Sequence, residues 1–156
     1  MISLIACVGK NNELGLNGDL VFRIKEDMHF FKTITTGHPV LMGAKTCASL
    51  PGALAGRTNY VLTHHSNKLP AGFIAVSDLE VFIKEHQDEN IFVIGGAKVY
   101  ELLLPYADEI YLTEVDANAD ADVYFPTFDK NLYNKIIIDK GISNGIEFTF
   151  AKYIKK

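Results

Sequence analysis

The chain has 156 residues, of which 48% are hydrophobic and 22% charged, and this composition excludes extended disorder and a fibrous fold. Its 15 Lys and Arg against 19 Asp and Glu give a net charge of −4, so the chain carries no electrostatic footprint for nucleic acid. No apolar run reaches the roughly 18 residues of a membrane span, and the two cysteines and five histidines show neither disulfide nor metal-ligand spacing. We therefore expect one cytoplasmic domain over residues 1–156 that binds no nucleic acid, membrane or metal. We also expect this domain to be a monomer.

Short β-branched and aromatic runs alternate with helical patterns along the chain, which predicts an α/β sandwich around a largely buried sheet. The last two runs are separated by Ser143-Asn144-Gly145, a turn signal typical of an antiparallel hairpin. Parallel strands joined by helices and followed by a hairpin predict a mixed, mostly parallel central sheet in a three-layer fold. The predicted strands are Ile2–Cys7, Pro39–Met42, Asn59–Thr63, Ile74–Val76, Asn90–Ile94, Ile110–Val115, Lys135–Asp139 and Ile146–Tyr153.

Helical periodicity and capping signals predict the helices. Apolar residues recur near helical spacing over Lys25–Thr35, so this helix should bury one face. Ser77 followed by Glu80 has the capping-box pattern, which predicts a helix over about Asp78–His86.

Two further helices are expected near glycines. One should run over Ala97–Leu104 after a double glycine and end at Pro105, and another should begin within residues 43–50. The segment Gly9–Arg23 is too long for a simple connection, and loops of that length are often functional.

Asp27 is the first candidate for chemistry. It shares a helix face with Phe30, Phe31 and Ile34, so an ionisable group borders an apolar stripe. Such a carboxylate could grip a cationic or amidine-like ligand group, with its pKa raised by desolvation. Alternatively, Glu26 and Asp27 could simply favour the positive end of the helix dipole, and spacing alone leaves both interpretations open.

A glycine pair and an arginine are the next candidates. Gly95-Gly96 stands between a strand and a helix, where backbone N–H groups could meet a phosphate, although a double glycine is also common in tight turns. Arg57 precedes a strand and could fork onto a ligand carboxylate, or it could be merely solvated. Further nitrogens that could be surface groups or ligands belong to Lys45, His64, His65 and Lys98.

Seven segments stand in a familiar order: MISLIA (1–6), LGLNGDL (14–20), EDMHFFK (26–32), PVLMG (39–43), GRTN (56–59), VIGGAKVY (93–100) and DVYFP (122–126). This ordered set resembles that of the bacterial dihydrofolate reductases over essentially the whole chain, without a large insertion. The resemblance implies transfer of a hydride from NADPH to the pterin ring of dihydrofolate, which gives tetrahydrofolate.

The resemblance also implies roles for residues on the substrate side. Asp27 matches the acidic pterin ligand, which would hold the 2-amino group and a ring nitrogen and favour protonation of N5 through water. Phe31 would face the aromatic ring of the substrate, and Arg57 its glutamate α-carboxylate. Catalytic positions are Asp27, Phe22 and Leu20, and substrate-binding positions are Ile5, Cys7, Asp27, Met28, Phe31, Lys32, Leu50, Leu54, Arg57, Ile94 and Thr113.

On the cofactor side, the resemblance implies a mobile loop at Leu14–Leu20 that closes over the nicotinamide, with Asp122 bound to its backbone. Cofactor-binding positions are Cys7, Leu14, Gly15, Leu16, Asn17, Gly18, Asp19, Leu20, Gly43, Lys45, Thr46, Leu62, Thr63, His64, Gly95, Gly96, Ala97, Lys98, Val99 and Tyr100.

The chain departs from the family pattern at several positions. Val21-Phe22 replaces the Pro-Trp of many members, and loss of the indole N–H predicts weaker substrate positioning with retained function. Ala44 stands where an arginine often holds the 2′-phosphate, so the preference for NADPH over NADH should depend on other cations. Ala55 and Ala121 replace residues that are usually Pro and Gly.

Two alternatives remain open. A related pyrimidine reductase of riboflavin synthesis shares the fold and the glycine pair, but its ribityl phosphate substrate needs neither Asp27 nor Arg57. A non-catalytic homologue that binds the cofactor or a protein partner would accommodate the departures at Phe22 and Ala44, but not the survival of the carboxylate, the glycines and the arginine in order.

Overall fold

The computed structural model describes residues 1–65 and 68–156, and within these residues it contains eleven strands and four α-helices. The strands are β1 (Ile2–Val8), β2 (Glu13–Leu16), β3 (Asp19–Leu20), β4 (Val40–Gly43), β5 (Asn59–Leu62), β6 (Phe73–Val76), β7 (Ile91–Val93), β8 (Ala107–Val115), β9 (Val123–Tyr124), β10 (Tyr133–Ser143) and β11 (Ile146–Lys155). The helices are α1 (Lys25–Thr35), α2 (Ala44–Ser49), α3 (Leu79–Glu85) and α4 (Ala97–Leu103).

The large sheet has the strand order β10-β11-β8-β1-β7-β4-β5-β6. The six strands from β8 to β6 pair in parallel, while β11 is antiparallel to both β8 and β10. The turn between β10 and β11 places Asn144 and Gly145 at φ of 50° and 79°, the backbone that a two-residue hairpin turn requires. The predicted fold class, a mixed and mostly parallel sheet with a C-terminal hairpin, is confirmed.

Successive residues of the central strands face opposite sides of the sheet, and both sides are covered. Val40 and Met42 pack in one apolar cluster with Phe30 and Phe31 of α1, whereas Leu41 packs in the other. That second cluster includes buried side chains of α3 and α4, namely Phe82, Val99, Tyr100 and Leu103. Helices on both faces make the three layers and explain the continuous apolar runs of β4 and β7.

The helix predictions are confirmed except at two ends. The bounds of α1 agree with the prediction, but the cap of α3 is Asp78, whose Oδ1 accepts the N–H of Val81 at 3.1 Å. The prediction of a Ser77 cap is therefore wrong by one residue, because the aspartate offers a better-placed oxygen in the same turn. Pro105 lies inside a 3-10 helix, Leu104–Tyr106, since a proline is tolerated in a first turn that needs no N–H there.

The segment Gly9–Arg23 contains two short strands that were not predicted from its sequence. Its strands β2 and β3 form a small antiparallel sheet with β9, in which Glu13 pairs with Tyr124 and Gly15 with Val123. Two- and four-residue strands carry too little periodicity to be read from sequence. None of the helices in the described part of the chain is long and apolar enough to cross a membrane.

Candidate functional site

The candidate residues gather where the strand order changes direction. In the order β8-β1-β7-β4, the connection from β1 to β4 passes over β7 toward one edge of the sheet. The connection from β7 to β8 passes over β1 toward the opposite edge. In open α/β sheets, ligands bind outside the carboxyl ends of the strands at such a switch point. Cys7, Gly43 and Thr113 lie in the last three residues of β1, β4 and β8, and Gly95 follows β7 closely.

Asp27 lies in the first turn of α1 and points at the sheet. Its Oδ1 accepts the hydroxyl of Thr113 at 2.5 Å, and the Thr113 side chain is itself buried. Burial raises the pKa of Asp27 above its ordinary value, and the hydrogen bond from Thr113 offsets part of that rise. The alternative of a solvated carboxylate that serves only the helix dipole therefore does not describe this side chain.

Two further polar groups, Cys7 and Tyr100, are influenced by the charge of this carboxylate and stay neutral. Burial raises the pKa of the Cys7 thiol well above its ordinary value, and the negative charge of Asp27 raises it further. Burial likewise raises the pKa of Tyr100, with added contributions from Asp27 and Cys7. The Tyr100 hydroxyl donates to the carbonyl of Ile5 at 2.6 Å, which ties α4 to β1 beside Asp27.

The backbone at the glycine pair and at Gly43 leaves little freedom for side chains, at Gly95 because of its φ and at Gly43 because of Val99. Gly95 has a φ of 124°, and a Cβ there would lie 3.4 Å from the Tyr100 hydroxyl and 3.5 Å from the Thr46 hydroxyl. The N–H of Gly43 donates to the carbonyl of Gly95 at 2.9 Å, and a Cβ on Gly43 would lie only 2.9 Å from Val99. The ends of β4 and β7 thus form one backbone-lined surface, as close approach of a ligand requires.

Arg57 is oriented by its neighbours rather than free in solvent. Its Nε donates to the carbonyl of Ala55 and its Nη1 to the hydroxyl of Thr35, both at 3.0 Å. The Thr35 hydroxyl in turn donates to the carbonyl of Phe31 at 2.8 Å, and the guanidinium lies 6.0 Å from the centre of the Phe31 ring. Partial burial lowers the pKa of Arg57. Sequence reasoning missed Thr35, and no motif marks it.

The loop that carries β2 and β3 is docked on the segment before β9. Asp122 accepts the N–H of Asn17 at 3.1 Å, and its own N–H donates to the carbonyl of Gly15 at 2.9 Å. The prediction that Asp122 binds the backbone of this loop is therefore confirmed.

Sequence reasoning also missed Glu13, which is only 2% exposed at the base of this loop. Its two carboxylate oxygens accept the N–H groups of Asn11 at 2.6 Å and Ala119 at 2.8 Å. An acidic residue beside the buried Leu14 is a weak signal for such a group, because nothing in the sequence points to Ala119.

Several predicted residues are open to solvent. The side chains of Leu20 and Met28 are 53% and 59% exposed. Ile5, Cys7, Val99, Tyr100 and Thr113 are buried, whereas Phe31, Leu50, Leu54, Ile94 and Thr46 are half-buried. Other exposed positions include Lys32, Lys45, His64 and Lys98, together with Ala44 at the start of α2.

Two cavities lie away from Asp27. One of about 330 Å³ is bordered by charged side chains that include Lys10, Glu114 and Asp116. The other, of about 400 Å³, is bordered by His38, Arg57 and Glu89. Only Arg57 links either cavity to the residues discussed above.

Comparison with known proteins agrees with this geometry. A family model described as dihydrofolate reductase matches residues 1–155. The dihydrofolate reductase of Bacillus subtilis is 35% identical over 160 residues, which cover 100% of this chain and 95% of that protein. That of Neisseria gonorrhoeae is 34% identical, covering 99% of this chain and 98% of that protein. A dihydrofolate reductase of Haloferax volcanii is 35% identical, covering 98% and 82%. By its full-length match and by these relatives, the chain belongs to the dihydrofolate reductase family.

Proposed function

We propose that the chain reduces dihydrofolate to tetrahydrofolate with NADPH as the reductant, and that Asp27 holds the pterin and promotes protonation of its N5. The observation that carries the proposal is the half-buried Asp27 carboxylate, bonded to Thr113 at 2.5 Å, beside the switch point of the sheet. A family membership alone would leave open which residues act.

The carboxylate suits a ring that presents two N–H donors side by side. Two oxygens can accept both the 2-amino group and the neighbouring ring nitrogen, and such charge-assisted bonds are about twice as strong as neutral ones. Because Thr113 occupies one lone pair of Oδ1, the remaining lone pairs stay available to a ligand.

The raised pKa of Asp27 bears on the proton that the reduction consumes. A carboxyl group whose pKa lies above the ordinary range binds a proton nearer to neutral pH, where a general acid is most effective. Asp27 holds that proton or its negative charge close to the ring, and a water molecule would carry the proton to N5. Thr113 fixes the direction of the carboxylate throughout.

The remainder of the substrate would follow the apolar side chains next to α1. Phe31 would face its aromatic ring, and Ile5, Leu50, Leu54 and Ile94 belong to or pack against the same apolar cluster. Arg57 would bind the terminal carboxylate. Its guanidinium is already oriented by Thr35 and Ala55, so little side-chain entropy is lost when the carboxylate arrives.

The residues at the ends of β4 and β7 fit a dinucleotide. A side chain at Gly43 would collide with Val99, Gly95 has a φ of 124° that favours glycine, and the hydroxyl of Thr46 lies beside the glycine pair. When bound, NADPH supplies the hydride. Since Ala44 offers no charge to the 2′-phosphate, Lys45, His64 and Lys98 are the side chains that would favour NADPH over NADH.

An absorbance assay tests the proposal. Purified protein is mixed with dihydrofolate and NADPH, and loss of the reduced nicotinamide band is followed together with the appearance of tetrahydrofolate. We expect oxidation that depends on dihydrofolate and is slower with NADH. Parallel reactions with a ribosylated pyrimidine substrate separate the pyrimidine reductase alternative. If saturating dihydrofolate and NADPH give no turnover, the proposal is wrong.

A further inference from the structure

Cys7 lies on the same side of the sheet as the groups that hold Asp27. It is the direct register partner of Thr113 on the neighbouring parallel strand. Side chains of a strand alternate between its two faces, and paired residues of adjacent strands point to the same face. Because the Thr113 hydroxyl reaches Asp27 at 2.5 Å, the Cys7 side chain one strand away borders the same carboxylate.

The side chains packed around the thiol are apolar. Cys7 is 9% exposed and packs with the apolar side chains of Ile24, Val115 and Phe150. The carboxylate of Asp27 has about four lone-pair positions, of which Thr113 uses one, so it can accept the S–H as well. Cys7 and Asp27 influence each other's pKa, as neighbouring groups do.

We propose that Cys7 is a positioning residue of the reaction: its S–H donates to the Asp27 carboxylate and, together with the Thr113 hydroxyl, aims that carboxylate at the pterin. This inference rests on the proposed function. Cys7 acts through Asp27 and takes no part in bond making.

The thiol is a hydrogen-bond donor here and not a nucleophile. Burial first, and then the negative charge of Asp27, raises the pKa of Cys7 far from neutrality, and only the thiolate form is reactive. A thiolate next to the carboxylate would also place two like charges together in a buried region, which is costly. The neutral S–H avoids that repulsion and stabilises the ionised form of Asp27.

Three polar groups lie on the elements near Asp27. The Thr113 hydroxyl on β8 donates to it, Cys7 on β1 is the register partner of Thr113, and Tyr100 on α4 directs its hydroxyl to the carbonyl of Ile5. In the proposed arrangement the Thr113 and Cys7 donors favour the carboxylate ion, and burial opposes it. Removing the S–H should move the titration of Asp27 upward, by about half a pH unit for one weak donor.

Vibrational spectroscopy tests the hydrogen bond without any turnover. The S–H stretch lies in a spectral window free of other protein bands, and Cys47→Ala removes the other thiol of the chain. In the Cys47→Ala protein we expect an intense S–H band at a frequency below that of a thiol without a hydrogen bond. This frequency should rise when acid protonates Asp27. It should also rise when Asp27→Asn is added to Cys47→Ala. A frequency indifferent to both changes would overturn the inference, even if the protein reduces dihydrofolate.

Kinetics provide the second measurement. Cys7→Ala should shift the pH profile of hydride transfer to higher pH by about half a unit. Cys7→Ser, which keeps a donor of similar shape, should restore it. Cys47→Ala is the matched control and should leave the profile unchanged, since Cys47 is buried in the apolar cluster of Val40 and Met42 and not in that of Cys7. Equal profiles for Cys7→Ala and the unmodified chain would also contradict the inference. Absence of any dihydrofolate reduction would instead refute the proposed function.

Discussion

Two carboxylates that are withdrawn from solvent, Glu13 and Asp27, behave in opposite ways. Glu13, at the base of the loop, is held by the backbone N–H groups of Asn11 and Ala119. Asp27, at the start of α1, accepts its hydrogen bonds from side chains, chiefly from the hydroxyl of Thr113. Burial favours the neutral acid in both, yet backbone N–H groups of Ala119, Glu13 itself and Asn11 lower the pKa of Glu13, whereas that of Asp27 is raised.

The difference lies in the donors. A backbone N–H is fixed in place and has no other role, so Glu13 receives a permanent set of bonds to its charged form and serves the structure. Asp27 has one strong hydroxyl donor and a weak thiol, so part of the cost of burying its charge remains. An ion left partly unsatisfied in this way is available to a ligand and to a proton, as catalytic groups generally are.

The largest effect on the reaction rate is expected when the charge of Asp27 is removed. Asp27→Asn keeps an oxygen for Thr113 but removes the charge and the proton, so hydride transfer at neutral pH should fall about 10²–10⁴-fold. Single-turnover kinetics with dihydrofolate and NADPH measure this rate. Glu26→Gln, in the same helical turn and exposed, is the matched control and should stay within about twofold of the unmodified chain.

The pH dependence of the hydride-transfer rate provides the result that could contradict this prediction for Asp27. In the unmodified chain the rate should fall as pH rises through the raised pKa of Asp27, because the proton becomes scarce. That step should vanish in Asp27→Asn. A step that persists in the variant would assign the titration to another group.

A second variant tests the binding of dihydrofolate separately from the titration of Asp27. Arg57→Ala removes a guanidinium already oriented by Thr35, so the KM for dihydrofolate should rise about 10- to 100-fold, the effect of one or two charged hydrogen bonds. The KM for NADPH and the pH step of Asp27 should not move. Equal weakening of both substrates would indicate a general structural defect.

A smaller effect is expected at Glu13. Glu13→Gln leaves one acceptor oxygen for two N–H groups, so the free energy of unfolding at pH 7 should drop by about 1.5–3 kcal/mol. A lowered folded-state pKa contributes stability that is present above the unfolded pKa and lost as pH falls through the folded value. The deficit should therefore shrink in acid.

Urea unfolding at several pH values measures the Glu13 effect. Glu101→Gln on the exposed side of α4 is the control and should change little. A deficit that is the same at every pH would mean that the charge of Glu13 is not what stabilises the loop.

The smallest effect has the opposite sign. A raised folded-state pKa means that ionised Asp27 costs stability as pH rises above the unfolded value. Asp27→Asn should thus raise the free energy of unfolding at pH 8 by about 0.5–2 kcal/mol, and this gain should disappear in acid. Denaturant titrations of Asp27→Asn and Glu13→Gln, run in parallel, should show a gain of stability in the first variant and a loss in the second. A loss of stability in Asp27→Asn would contradict the contrast drawn between the two carboxylates.

Sequence predicts the features that depend on neighbours along the chain. The apolar period fixes α1, Asn144-Gly145 fixes the hairpin turn, and Asp27 stands out because it interrupts an apolar stripe. These signals are local, so they survive without knowledge of the fold.

The remaining features depend on residues far apart in sequence. The strands β2 and β9 are short and find each other only in the folded chain, and Ala119, which holds Glu13, offers nothing but its backbone. Likewise, no motif joins Thr35 to Arg57 or Cys7 to Asp27. Sequence therefore identifies the candidate carboxylate, Asp27, more easily than the groups that hold it in place.

The contacts that dock the loop have a consequence for how the protein matures. Asn17 meets Asp122 across 105 residues of chain, and Glu13 meets Ala119 across 106. During synthesis the loop emerges early, while its anchors, Ala119 and Asp122, emerge only after about three quarters of the 156 residues have been made. A half-made polypeptide can therefore form helix α1 but not the docked loop, and competence for turnover arises late in assembly.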